Sequence, residues 1–226
     1  MLTATLHFIL VFIATAAFLG VYRSYVKSGR TNQQLYNFSR FFAFLVFYQL
    51  FLSSYIFTKD LKMVSIFFNL GIFSLFLVLF YVLKTVLPMF SISQEKQNLL
   101  PKLLMFIGLV VVAWQFYDFR LPILHSSGFI LWNPNPWPAW IISGVIVMVT
   151  TAWVFILSKN IKNFVGMAKT KNIFLILMSF VFGLSGIFYF HPNYYMTIAA
   201  FITHTLGFIF ALITLIIKIP KIPAKT

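Results

Sequence analysis

Six polar side chains lie within or at the ends of long apolar runs, and they are the residues of this sequence best placed to do chemistry. Burying a polar group in apolar surroundings costs free energy, so such groups mark ligand sites, ion pathways or contacts between helices. Histidines and amides that converge in an apolar cavity would suit a small-ligand pocket. Each of them could instead hydrogen-bond a neighbouring helix. The six are His7, Gln49, Asn69, Gln115, Asp118 and His204.

Two of the histidines indicate a second chemistry. Imidazoles from different helices can ligate a haem or a copper ion, and His7 and His204 lie at comparable depth in the first and last apolar runs. Met196 adds a soft sulfur ligand nearby. The sequence has no HxxxH, ExxH or HxH spacing. A haem or metal site at His7, His204 and Met196 is therefore an alternative hypothesis to the ligand pocket.

Several other chemistries lack the residues they need. The chain has no Cys, which excludes thiolate nucleophiles, disulfides and Cys-ligated metals. A retinal protein needs a lysine in the middle of the last run, which has only Lys218 at its end. A carboxylate proton relay is unsupported because Asp60, Glu95 and Asp118 lie in loops or at run ends. We expect neither retinal nor catalytic activity.

The elements that must position these residues are membrane-spanning helices. Of the 226 residues, 61% are hydrophobic and 9% are charged, and the mean hydropathy is +0.95. The apolar runs continue over about 20 residues, the length at which an α-helix crosses a bilayer. They predict one all-α integral membrane domain over residues 1–217, a seven-transmembrane-helix bundle. The predicted spans lie near 2–22, 35–57, 63–89, 103–117, 139–158, 172–190 and 194–217.

The basic residues predict the orientation of the bundle. Of the 17 lysines and arginines, three (Lys59, Lys62 and Arg120) fall on one side of the predicted spans and all the others on the opposite side. Basic loops stay in the cytosol, so the N-terminus is expected outside and the C-terminus in the cytosol of an integral, multi-pass cell-membrane protein. This distribution accounts for the net charge of +14 without nucleic acid as a partner.

Two further segments have a distinct composition. The stretch 118–138 is rich in proline and tryptophan and predicts an external loop at the interface, with Trp132, Trp137 and Trp140 as a lid. Residues 218–226 predict a basic cytosolic tail attracted to anionic lipid headgroups.

Three functions are compatible with this sequence. Its plan is similar to that of seven-helix sensory and receptor modules, although no motif carries the similarity to a family. We expect a sensor with an outward-facing pocket that signals through a separate membrane or cytosolic protein, because the chain stops soon after the last span. The alternatives are a haem or metal redox protein and a structural subunit of a membrane complex. The structural subunit is favoured if every nitrogen of His7 and His204 has a hydrogen-bond partner.

Overall fold

The computed structural model describes residues 2–90 and 92–217, and most of them are α-helical. Within this part of the chain, seven helices are long and apolar enough to cross a membrane, which confirms the number predicted from the apolar runs. The basic tail predicted at 218–226 lies outside the described residues. The helices are α1 (Leu2–Lys27), α2 (Gln33–Leu52), α3 (Leu61–Val86), α4 (Gln94–Tyr117), α5 (Pro136–Asn160), α6 (Gly166–Tyr189) and α7 (Tyr194–Ile216).

Asn and Asp side chains cap the start of four helices. Asn32, Asp60, Asn135 and Asn193 accept hydrogen bonds from first-turn N–H groups of α2, α3, α5 and α7, respectively. These N–H groups have no partner inside the helix, so each cap contributes about 1 kcal/mol. The caps therefore fix where the helices begin after the short connections.

Several helices start earlier than the apolar runs indicate, among them α6, which begins at Gly166 rather than near residue 172. Ser93 precedes α4, which begins at Gln94 rather than near residue 103 and contains Pro101. Its first two turns are polar, so hydropathy alone does not reveal them. α5 begins at Pro136, so the last residues of the stretch predicted as loop are helical. Proline is tolerated there because its missing N–H has no acceptor in the first turn of a helix.

Six of the helices form a closed ring, and α4 lies outside it. Neighbours in sequence pack against each other from α1 to α3 and from α5 to α7. Contacts of α1 with α7 and of α3 with α5 close the ring. α4 packs mainly on the outer face of α3 and more lightly on α5. The polar residues of the other six helices can thus meet in the ring interior, whereas those of α4 cannot.

Glycines bring neighbouring helices close together. A Cβ on Gly186 of α6 would lie 2.5 Å from Cγ2 of Ile146 on α5, and a Cβ on Gly108 of α4 would lie 2.5 Å from Cγ of Phe76 on α3. No side chain fits at either position without moving its neighbour. Small residues are used in this way at helix contacts in membrane proteins, where close approach increases van der Waals packing.

A short β-hairpin covers one end of the bundle. β1 (Ile123–Leu124) pairs antiparallel with β2 (Ile130–Leu131) in the connection between α4 and α5. The hairpin is anchored to α1 because Ile130 N–H donates to Thr3 Oγ1 at 2.8 Å and Leu2 N–H donates to the Gly128 carbonyl at 3.0 Å. We call this end of the bundle the hairpin end.

Candidate functional site

Three of the residues predicted from the sequence meet inside the ring. The side chain of Gln49 on α2 lies between His7 on α1 and His204 on α7. Its Oε1 is 2.6 Å from His7 Nδ1, and its Nε2 is 2.6 Å from His204 Nε2. Gln49 has no exposed surface, and the two imidazoles are 1% and 8% exposed. One amide therefore links three helices in the interior.

The contacts continue in both directions from this centre. His7 Nε2 is 2.6 Å from the Tyr189 hydroxyl, which accepts a hydrogen bond from Trp132 Nε1 at 2.5 Å. At the other end, His204 Nδ1 is 3.0 Å from Ser185 Oγ, which donates to the Ala200 carbonyl at 3.2 Å. All four imidazole nitrogens of the two histidines thus have a partner. We call this series the hydrogen-bond chain; its side chains are Trp132, Tyr189, His7, Gln49, His204 and Ser185.

The donors and acceptors in the hydrogen-bond chain have one direction. The indole N–H of Trp132 can only donate, so Tyr189 accepts from it and its own proton is free to go to His7 Nε2. His7 then donates from Nδ1 to Gln49 Oε1, and the Gln49 amide donates to His204 Nε2. His204 must therefore hold its proton on Nδ1. Both histidines are Nδ1–H tautomers, and each group in the chain donates once to the next.

A large cavity adjoins the hydrogen-bond chain on the side away from the hairpin end. Its volume is about 790 Å³, counted with the open space at its mouth, and α2, α3, α5, α6 and α7 supply its walls. Along α2 it runs from Tyr48 to Phe38, which is about 15 Å at the rise of an α-helix. Ser185, Tyr189 and His204 belong both to its lining and to the chain. We call this space the central cavity.

The polar side chains in the wall of the central cavity fall into two groups. Those of Thr150, Ser179, Ser185, Tyr189 and His204 all make hydrogen bonds within the protein. The hydroxyl of Tyr48 and the indole N–H of Trp153, by contrast, have no hydrogen-bond partner in the described part of the chain. Both residues are buried, at 4% and 6% exposure. The wall therefore contains unused hydrogen-bonding capacity.

A second cavity of about 400 Å³ lies beyond the central one, towards the end opposite the hairpin. Phe38 and Trp153 line both cavities, and their rings contact each other edge to face at 5.4 Å between centroids. These two side chains separate the two spaces.

Two other predicted site residues lie elsewhere, at the hairpin end. Asn69 of α3 and Gln115 of α4 line a small pocket of about 240 Å³ together with residues of the α4–α5 connection. Gln115 Oε1 accepts from the Asn135 N–H at 3.1 Å, while its buried Nε2 has no partner in the described residues. The six predicted residues thus do not line a single outward-facing pocket.

Asp118 lies at the surface just beyond α4. Its carboxylate accepts from Arg120 Nη2 at 3.0 Å and from the Asn135 side-chain amide, and the pair with Arg120 is 38% exposed on each side. The hydrogen bond from Arg120 has the largest effect and lowers the pKa of Asp118. Desolvation opposes it, and the hydrogen bond from Asn135 lowers the pKa further. Asp118 fastens the start of the hairpin segment to the start of α5 and does not reach either large cavity.

The three tryptophans predicted as a lid do not lie together, and Met196 lies apart from the two histidines predicted as metal ligands. Trp132 is buried and stacks on Phe68 with centroids 4.4 Å apart, whereas Trp137 and Trp140 are 69% and 62% exposed on the outside of α5. Met196 is 41% exposed and precedes His204 by two turns of α7, about 12 Å along the helix. Among the described residues, no group of three or more His, Asp or Glu side chains is arranged to hold a metal ion.

Sequence reasoning did not select Tyr48, Tyr189 or Ser185. Tyrosine is also common at the membrane interface, so a tyrosine in an apolar run does not by itself indicate a site. Ser185 lies between Gly183 and Gly186, a pattern that indicates close helix packing as readily as a site. The adjacency of Tyr48 to Gln49 is the one signal that could have directed attention to this side of α2.

Comparison with protein-family models, with curated proteins and with solved structures finds no match to this chain.

Proposed function

We propose that this protein is a multi-pass membrane module of the sensor type that binds a small molecule in the central cavity. The observation that carries the proposal is the cavity lined by five helices, with members of the hydrogen-bond chain in its wall. Its apolar wall with a few polar groups has the usual chemistry of small-molecule sites in proteins. The site lies inside the bundle rather than at its outer surface.

The position of the hydrogen-bond chain gives a route from binding to a change in the bundle. A ligand that competes for Ser185, Tyr189 or His204 alters hydrogen bonds that join α1, α2, α6 and α7. A ligand shifts a conformational equilibrium by the difference between its affinities for the two states. A ligand that hydrogen-bonds Ser185, Tyr189 or His204 in one conformation of the bundle and not in the other would have such a difference in affinity.

The proposed orientation places the hairpin end outside the cell. Within the described residues, Lys59, Lys62 and Arg120 are the basic side chains at the hairpin end, and the other basic residues lie towards the opposite end. The positive-inside rule then puts the N-terminus outside and the opposite end against anionic headgroups in the cytosol. The proposed contact for a separate signalling protein is the connection between α5 and α6, which contains Lys162, together with Lys159 in the last turn of α5.

The haem or copper alternative has less support from the geometry. The Gln49 amide occupies the space between His7 and His204, and all four of their ring nitrogens are hydrogen-bonded. Axial ligation by both histidines would require the loss of the two bonds to Gln49. The structural-subunit alternative is favoured by the same observation, because histidines with every ring nitrogen hydrogen-bonded are what a structural contact between helices requires.

A cavity-filling substitution tests the binding function. Val149 of α5 is 2% exposed and lines the central cavity, whereas Val147 of the same helix is 37% exposed on the outside. We expect small molecules that co-purify with the parent protein, detected by native mass spectrometry, to be lost from Val149→Phe and kept by Val147→Phe. Equal retention by both variants would place the ligand elsewhere. If the folded parent protein retains no small molecule and binds none that is added, the binding function is wrong and the structural-subunit alternative is favoured.

A further inference from the structure

The central cavity has a wall that discriminates between ligand charges. Among the residues that the structure describes, its lining comprises aliphatic and aromatic side chains, a few hydroxyls and His204, and includes no Asp, Glu, Lys or Arg. An ion transferred there from water would lose its hydration without gaining a counter-charge, which costs several kcal/mol even after the protein relaxes. The cavity therefore disfavours carboxylates and ammonium ions and accepts neutral molecules.

The unused hydrogen-bonding groups define what a neutral ligand should carry. Ser185 and His204 already use their protons within the hydrogen-bond chain, and Thr150 and Ser179 donate to carbonyls of their own helices. In the described part of the cavity wall, the groups that remain are the Tyr48 hydroxyl and the Trp153 indole N–H. Both can donate, and the indole can do nothing else. A ligand with a hydrogen-bond acceptor is therefore the complement of this wall.

We propose that the ligand of the central cavity is a neutral, elongated and mainly apolar molecule with a carbonyl oxygen that accepts from the Tyr48 hydroxyl. This inference rests on the proposed binding function and specifies its ligand class. Tyr48 lines the cavity near the hydrogen-bond chain, with its ring 6.4 Å from that of His204 between centroids. An acceptor bound at Tyr48 therefore lies beside the chain. The apolar remainder has about 15 Å of cavity in which to extend towards Phe38.

The test compares two probes that differ by one carbonyl oxygen, 2-undecanone and undecane. Binding of each labelled probe is measured with the protein in lipid nanodiscs and corrected for uptake by empty nanodiscs. We expect the ketone to bind about 2- to 10-fold more tightly than the alkane, the range of a typical net hydrogen bond. Decanoate, the matched anion, should bind more weakly than either.

Tyr48→Phe removes the hydroxyl and breaks no hydrogen bond within the described protein, so the variant should fold normally. We expect it to abolish the preference for the ketone, while Tyr195→Phe, which changes a 78% exposed side chain, retains it. A preference that survives Tyr48→Phe, or decanoate binding as tight as that of the ketone, overturns this inference. If both neutral probes still bind and Val149→Phe abolishes that binding, the proposed function stands although the inferred role of Tyr48 is wrong. If Val149→Phe has no effect on binding, the central cavity is not the site and both proposals fail.

Discussion

Replacing Gln49 by leucine should weaken the association of the helices that the hydrogen-bond chain joins. Leucine has a similar size, so the packing is largely kept, but both hydrogen bonds at the centre of the chain are lost. The His7 N–H then has no acceptor, and His204 Nε2 has no donor. Interhelical hydrogen bonds in membrane proteins contribute about 0.6 kcal/mol on average and up to about 1.7. Two of them predict a loss of about 1–3 kcal/mol in the free energy of unfolding.

The assay is reversible unfolding in mixed detergent micelles, followed by circular dichroism, for the parent and two variants. Gln34→Leu is the matched control, since Gln34 is on the same helix but exposed, and surface substitutions usually change stability by less than about 0.5 kcal/mol. The reasoning is refuted if Gln49→Leu is as stable as Gln34→Leu. That result would mean that the unpaired imidazoles find other partners and that the chain does not hold these helices together.

Two further predictions concern protonation. The direction of the hydrogen-bond chain requires His7 and His204 to be Nδ1–H tautomers, so ¹⁵N NMR of labelled protein should show a protonated Nδ1 and an acceptor Nε2 for both; an Nε2–H form of either would contradict the assigned direction. Because its pKa is lowered in the folded state, ionised Asp118 should stabilise the fold above its unfolded pKa of about 3.9, and this contribution should be lost as the pH falls through the folded pKa. Arg120→Ala should raise the pKa of Asp118, measured by ¹³C NMR of its carboxyl, and an unchanged pKa would exclude Arg120 as the main cause.

The seven helices were predictable because a long apolar run identifies a spanning helix without any information about the helices that pack against it. The start of α4 shows the limit of that signal. Residues 94–98 are polar and Pro101 follows them, yet the segment is helical because Ser93 caps it and the helix continues into the apolar run. Hydropathy registers the cost of placing a residue in lipid and does not register helix formation beyond the apolar segment.

The site was predictable only in part, because the sequence gives the depth of a residue better than its neighbours. Depth alone selected His7, Gln49 and His204, which do meet. It also selected Gln115, which lies in a separate pocket because α4 is outside the ring, and Asn69 of α3, which lines the same pocket. The rotation of each helix and the order of the ring follow from close contacts such as Gly186 against Ile146, and these are properties of pairs of helices.

The direction of the hydrogen-bond chain links the hairpin to the cavity. An amide such as Gln49 can face either way, and each histidine can hold its proton on either nitrogen, so the middle of the chain has no direction of its own. If the chain ran the other way, the His7 N–H would point at Tyr189, and the Tyr189 proton would have no acceptor among the described residues. Trp132, held against Phe68 beside the hairpin, excludes that arrangement because its indole can only donate. The position of Trp132 thus determines which nitrogen of His204 carries a proton beside the central cavity. A displacement of the hairpin segment would change the hydrogen bonds at the proposed ligand site, and by thermodynamic reciprocity a ligand that perturbs His204 would change how firmly Trp132 is held.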